Sequence, residues 1–169
     1  MKIAIVADSN SGVTQDEAKE LGIYVLPMPF MIDGQVFYEG IDLSHEDFYA
    51  RMEEGAEITT SQPSPKDVTE QWEQLLEDHD QVVYIPMSSG LSASCATAQM
   101  LAEDYEGRVF VVDNHRISIS QKSSAWDAVA LREAGCGHRR SDGSWRPVGW
   151  IPLCMWAWRP WNISAGAGA

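Results

Sequence analysis

The sequence predicts an α/β fold: a doubly wound parallel sheet with a small hairpin beside it. Short apolar, β-branched runs (Lys2 to Ala7, Ile23 to Leu26, Val82 to Ile85, Arg108 to Val112) alternate with segments that carry helix caps and helical spacing. That alternation is the pattern of a parallel sheet covered by helices. The clearest unit is Ile85-Pro86-Met87-Ser88-Ser89-Gly90-Leu91-Ser92, which joins the run over Val82 to Ile85 to a helix expected over Ser92 to Glu103. Strand, polar elbow and helix make one βα unit, and ligands of such sheets sit outside the carboxyl ends of the strands. The hairpin is read from Phe30-Met31-Ile32, Asp33-Gly34 and Gln35 to Tyr38, where Asp-Gly suits a two-residue turn. Such a turn requires no function of Asp33.

In chain order, Lys2 to Ala7 is the first strand and Asp8-Ser9-Asn10-Ser11-Gly12 a polar loop. Thr14 and Glu17 have the spacing of a capping box, and Gly22 suits the end of the helix they open. Ser44 is expected to cap a helix over His45 to Glu53, closed by Gly55, with Phe48, Tyr49 and Met52 on its buried face. Ser64, Pro65 and Asp67 are N-cap, first position and first turn of another helix, whose Val68, Trp72, Leu75 and Leu76 share one face. The hydroxyls of Thr59, Thr60 and Ser61 precede that cap and are not needed by it. Ser118 opens a last helix over Ile119 to Ala134, with Trp126, Val129 and Ala130 as core candidates. His115 and Arg116 are read as a solvated turn.

Composition limits the function. The chain of 169 residues is long enough for one domain with a real core. A net charge of −13 argues against nucleic-acid or anionic-membrane binding through a basic surface. Met1-Lys2 leads straight into a strand, so no signal segment is expected there, and no run is long and apolar enough for a membrane span. Three cysteines (Cys95, Cys136, Cys154) without metal spacing fit a reducing cytosol, and neither a metal nor a cofactor is expected.

The composition breaks near Gly135. Residues 1–135 hold 24 of the 25 acidic residues, whereas residues 136–169 hold one acid, four Arg and five of the seven Trp. Two regions are therefore expected: an α/β domain over 1–135, and a Trp/Arg/Gly-rich tail over 136–169 that is out of frame and not a native domain. A shifted frame through a GC-rich gene yields such a composition, and Pro147, Pro152 and Pro160 interrupt any helix. Cys136, His138, Cys154 and the tail Trp residues are accordingly given no role.

Two hydroxyl-rich loops carry the candidate chemistry: Thr59-Thr60-Ser61 and Ser88-Ser89-Gly90-Leu91-Ser92. Hydroxyls and backbone N–H groups at a helix start suit a carboxylate or a phosphate. A Ser-rich N-cap that binds nothing explains the second loop equally well.

Taken with Ile5-Val6-Ala7-Asp8-Ser9-Asn10-Ser11 and the Asp33-Gly34 hairpin, the segments Thr60-Ser61-Gln62-Pro63-Ser64 and Ser88-Ser89-Gly90-Leu91-Ser92 give a chain that resembles the N-terminal half of the DegV family, from Met1 to about Gly135. The resemblance implies a cytoplasmic bacterial protein that holds a long-chain fatty acid and presents its carboxylate to a separate ATP-dependent fatty-acid kinase subunit. It implies a carrier, not an enzyme. It places Thr60 and Ser92 on the carboxylate and Ser61 at the pocket mouth, with Ser9, Ser88 and Ser89 as further pocket candidates. Ala93 is assigned to the same site, where the family usually has Gly; its Cβ narrows the approach of the backbone. The family also continues into a second domain that closes an acyl tunnel. That domain is expected to be absent here, so weak fatty-acid binding is expected of the chain as written.

Two other readings are weaker. A serine-dependent α/β-hydrolase-like enzyme needs G-x-S-x-G, and Ser88-Ser89-Gly90-Leu91-Ser92-Ala93 lacks the second Gly. A nucleotide-binding domain needs a Gly-rich phosphate loop after a strand, and none is present.

Overall fold

The computed structural model describes residues 2–38 and 41–133. The boundary at Gly135 and the whole tail over 136–169 lie outside the described residues. Strand β1 (Ile3–Asp8) is buried along its whole length and sits inside a four-stranded parallel sheet. Its neighbours are β2 (Ile23–Leu26) on one side and β6 (Gln81–Ile85) on the other, with β7 (Val109–Val111) beyond β6. The remaining strands, β3 (Pro29–Ile32), β4 (Gln35–Tyr38) and β5 (Ile58–Thr60), form a separate antiparallel sheet in the order β4-β3-β5.

Alternation along the strands sends side chains to two helical layers. Ile3, Ile5 and Ala7 of β1, with Val83 and Ile85 of β6, pack against Ala125, Ala128 and Val129 of α5 (Ser118–Glu133). Ala4, Val6, Val82 and Tyr84 face the other way. There they meet Val68, Trp72 and Leu75 of α3 (Pro65–Asp78) and Ala98 of α4 (Ser94–Ala102). Helices on both faces of a parallel sheet make the domain doubly wound, as the sequence predicts. The short helix α1 (Gln15–Leu21) carries the expected capping box between Thr14 and Glu17 and ends at Gly22, whose φ is 61°. Arg132 of α5 donates to the free carbonyls of Leu21 and Gly22 at that end (3.0 and 2.8 Å). No helix among the described residues is long and apolar enough to cross a membrane.

Four sequence expectations need correction. The segment Ile58–Thr60 is a strand, so the hairpin is two-thirds of a three-stranded sheet. It is pinned from the turn: Asp33 Oδ1 accepts from Glu57 N (3.0 Å) and Asp33 N donates to Glu57 O (3.0 Å). Asp33 therefore has a structural task beyond the turn. In α2 (His45–Glu53) only Phe48 of the expected face packs inward; Tyr49 and Met52 are exposed. In α5 the core residues are Ala125, Ala128 and Val129, while Trp126 and Ala130 are exposed. Small residues face the sheet there because the helix packs close to it. Finally, α4 begins at Ser94 rather than Ser92, because residues 88–93 are held in a turn of their own.

Candidate functional site

The two hydroxyl-rich loops meet across an open cavity of about 650 Å³ between the carboxyl end of the parallel sheet and the small sheet. This volume is in the range of small-molecule pockets. Thr60 is the last residue of β5 and the cross-strand partner of Phe30 on β3, so both side chains stand on one face of the small sheet. Ser61 follows, its N–H donating to Pro29 O (3.3 Å). Ser92 arrives from the β6–α4 loop, and all three residues line the cavity. The walls between them are largely apolar: Met28, Pro29 and Phe30 from β3 and its approach, Leu43, Phe48 and Tyr49 from α2 and its approach, and Met87 and Leu91 from the β6–α4 loop. Asn10, Ser44 and Gln62 complete the lining, which contains no charged side chain among the described residues.

The hydroxyls are not equivalent. Those of Thr60 and Ser61 have no hydrogen-bond partner among the described residues, and both residues are exposed. Ser92 Oγ already accepts from Ser94 N (3.1 Å) and so serves the start of α4, yet keeps its proton for a second acceptor. An open cavity lined by available hydroxyls and apolar walls suits an amphiphile with a small polar head.

The other expected pocket residues do not line the cavity. Ser88 is buried and organises the loop: its Oγ accepts from Gly90 N (3.1 Å) and its carbonyl from Leu91 N and Ser92 N (2.9 and 3.2 Å). Ser89 is exposed and its N–H donates to Asp113 Oδ1 (3.3 Å). Ser9 Oγ accepts from Met28 N (3.1 Å), so it positions a lining residue without being one. Ala93 is exposed, with right-handed helical torsions at the start of α4. His115 and Arg116 are occupied locally. His115 Nδ1 lies 3.5 Å from Asp113 Oδ1, and Arg116 Nη1 donates to Ser124 Oγ (2.9 Å).

Beneath the cavity floor lies a buried acid that the sequence reading did not single out. Asp8 ends β1 with 0 % of its surface exposed. Its Oδ2 accepts from Met87 N (2.6 Å) and its Oδ1 from Gln121 Nε2 (3.0 Å), which also donates to Ile85 O (3.0 Å). Burial pushes the Asp8 carboxyl above its ordinary value of 3.8, against the opposing effect of these donors and of nearby Asn10. Asn10 Nδ2 itself is buried and outside hydrogen-bond geometry with any acceptor among the described residues. A polar residue closing an otherwise apolar strand at its carboxyl end was the available signal for Asp8.

Fold and cavity together define a doubly wound α/β domain with an amphiphile-sized site at its strand ends. The chain belongs to the DegV family: the model described as "Uncharacterised protein, DegV family" matches residues 2–139. A DegV domain-containing protein of Deinococcus radiodurans is 34% identical over 136 residues, 80% of this chain and 48% of the relative. A DegV domain-containing 15.5 kDa protein of Staphylococcus aureus is 33% identical over 117 residues, 69% of this chain and 84% of the relative. Among solved structures, a fatty-acid-binding DegV family protein of Thermus thermophilus superposes with a TM-score of 0.77 at 28% identity, covering 94% of this chain and 52% of its own. DegV of Bacillus subtilis, a fatty-acid-binding protein, has the same fold (TM-score 0.78, 23% identity, 94% and 54% covered). Apart from the short staphylococcal relative, the chain spans about half the length of the curated relatives it matches.

Proposed function

We propose that the chain holds a long-chain fatty acid, with its carboxylate on the hydroxyls of Thr60, Ser61 and Ser92 and its acyl chain along the apolar walls. The observation that carries this is that hydroxyls from two unrelated loops, one from each sheet, line a single cavity with donors still available. Hydroxyls suit a carboxylate that must stay reactive, because they hydrogen-bond it without neutralising it. The fatty-acid-binding relatives from Thermus and Bacillus support the same ligand class. The further step, presentation of the carboxylate to a separate ATP-dependent kinase subunit, fits an open cavity mouth at the strand ends. In this role the chain is a carrier and makes no bond itself.

Mass spectrometry of an organic extract of the purified protein, after incubation with mixed oleate and palmitate, tests the ligand class. A long-chain fatty acid, retained weakly and in substoichiometric amount, is expected. A retained nucleotide, or no lipid at all, would contradict the proposal.

A further inference from the structure

We propose that Asp8 is a positioning residue for the cavity: its carboxylate holds the β6–α4 loop in the conformation that brings Ser92 and Leu91 to the ligand. The inference rests on the fatty-acid reading above, because Ser92 matters only if that site is used.

The geometry makes Asp8 the shortest and most buried tie of the loop. The loop leaves β6 at Ile85 and must turn at once to deliver three lining residues: Met87, Leu91 and Ser92. Its own bonds all converge on Ser88, so it is a self-contained turn that needs an outside anchor. Three outside anchors exist before Ser92. Ser88 N donates to Arg116 O (2.9 Å), a neutral bond to a loop, and Ser89 N donates to Asp113 Oδ1 at 3.3 Å, a long bond to an acid beyond the end of β7. The third is Met87 N to Asp8 Oδ2 (2.6 Å), the shortest of the three and made to a carboxylate fixed on the central strand. Such charge-assisted bonds are about twice as strong as neutral ones. Gln121 completes the clamp: one amide nitrogen donates both to Asp8 Oδ1 and to Ile85 O, so α5 locks the end of β1 to the end of β6. The groups facing the carboxyl, Met87 N, Gln121 Nε2 and Asn10, favour its ionised form, against the burial that raises it. The charge of Asp8 reaches two titratable groups, Tyr84 on β6 and Cys95 on α4, both pushed upward by burial first of all. Asp8 is thus a buried acid outside the cavity lining whose carboxylate ties the β6–α4 loop to β1.

The test uses Asp8→Ala, which removes both acceptors, and Asp8→Asn, which keeps the volume and one acceptor. In Asp8→Ala the Met87 amide proton should move upfield, the amides of residues 87–92 should exchange faster, and oleate affinity should fall roughly tenfold. Asp8→Asn should recover part of each. Unchanged exchange over 87–92 and unchanged oleate affinity in Asp8→Ala would overturn the proposal. If the wild-type chain binds no oleate, the fatty-acid reading fails, and the Met87 shift and loop exchange alone judge Asp8. If Asp8→Ala does not fold, the wild-type spectrum decides: the Met87 amide shift must follow the titration of the Asp8 carboxyl carbon, and a flat response overturns the claim.

Discussion

The parallel sheet and the small antiparallel sheet follow opposite plans. All six residues of β1 are buried, whereas β5 has none: Ile58 is half-buried, and Thr59 and Thr60 are exposed. Helices cover the parallel sheet on both faces, so its strands are largely apolar. On the small sheet α2 covers only part of one face, through Leu43 and Phe48 packed on Phe30, Ile32 and Phe37. Past Phe48 that same face, with Phe30 and Thr60 side by side, is the cavity wall. One sheet spends its side chains on stability; the other keeps hydroxyls unspent at a site. A ligand in the cavity would touch both the small sheet and the loop that leaves the parallel sheet.

The sharpest way to break this comparison is Trp72→Ala. Trp72 is 0 % exposed and packs edge-on to Tyr84 and Tyr105. Its truncation should cost about 3–5 kcal/mol in urea unfolding. A loss below about 1 kcal/mol would show that the parallel sheet is not the main store of stability. Next in size is the binding effect at the hydroxyls. Thr60→Ala should weaken oleate by about 1.5–3 kcal/mol, roughly 10- to 150-fold, with stability changed by less than about 0.5 kcal/mol. Ser92→Ala should weaken oleate similarly, and it should also lose about 1 kcal/mol of stability because Ser94 N loses its acceptor. Equal stability effects at the two positions would refute the division of labour drawn between them.

A smaller effect separates two acids by pH. Burial raises Asp8 in the folded state above its ordinary value of 3.8, so Asp8 favours folding increasingly as the pH falls from that raised value towards 3.8. For Asp113 burial pushes upward, but the hydrogen bonds from Ser89 and the His115 N–H prevail and hold it below 3.8. Its stabilising share is present above 3.8 and is lost as the pH falls through its lowered value. The stability difference between wild type and Asp8→Asn should therefore shift towards wild type on acidification down to about pH 4. A pH-independent difference in urea unfolding would contradict the burial assigned to Asp8. The smallest expected effect is at Cys95, buried on α4 with its thiol pushed up to about 11, chiefly by burial. In the folded chain it should resist iodoacetamide at neutral pH; ready alkylation there would mean that the α4 side of the sheet opens.

The same contrast explains what the sequence made legible. The parallel sheet was readable because buried strands are apolar runs and two of its helices, α1 and α3, announce themselves with a cap: Thr14 with Glu17, and Ser64 with Pro65. β5 was not, since Ile58-Thr59-Thr60 is too short to show alternation and its pairing partner lies across the chain. The helix faces were misjudged where aromatic bulk was taken for burial. Trp126 stacks under Lys122 at the surface, and Tyr49 lines the cavity mouth. Hydroxyl-rich loops pointed to the polar end of the site, whereas the apolar walls come from three separate segments that only topology brings together. Ser88 and Ser9 show why hydroxyl density alone misleads: both are consumed by backbone amides.

The central claim is that the cavity recognises a carboxylate through hydroxyls contributed by both sheets. The most direct measurement is calorimetric titration of the wild-type chain and Thr60→Ala with oleate and with oleyl alcohol, which share one hydrocarbon chain. The account predicts that wild type prefers oleate by at least about tenfold and that Thr60→Ala loses most of that preference while keeping its affinity for the alcohol. Equal affinity of wild type for the two ligands, or a preference that survives Thr60→Ala intact, would contradict it.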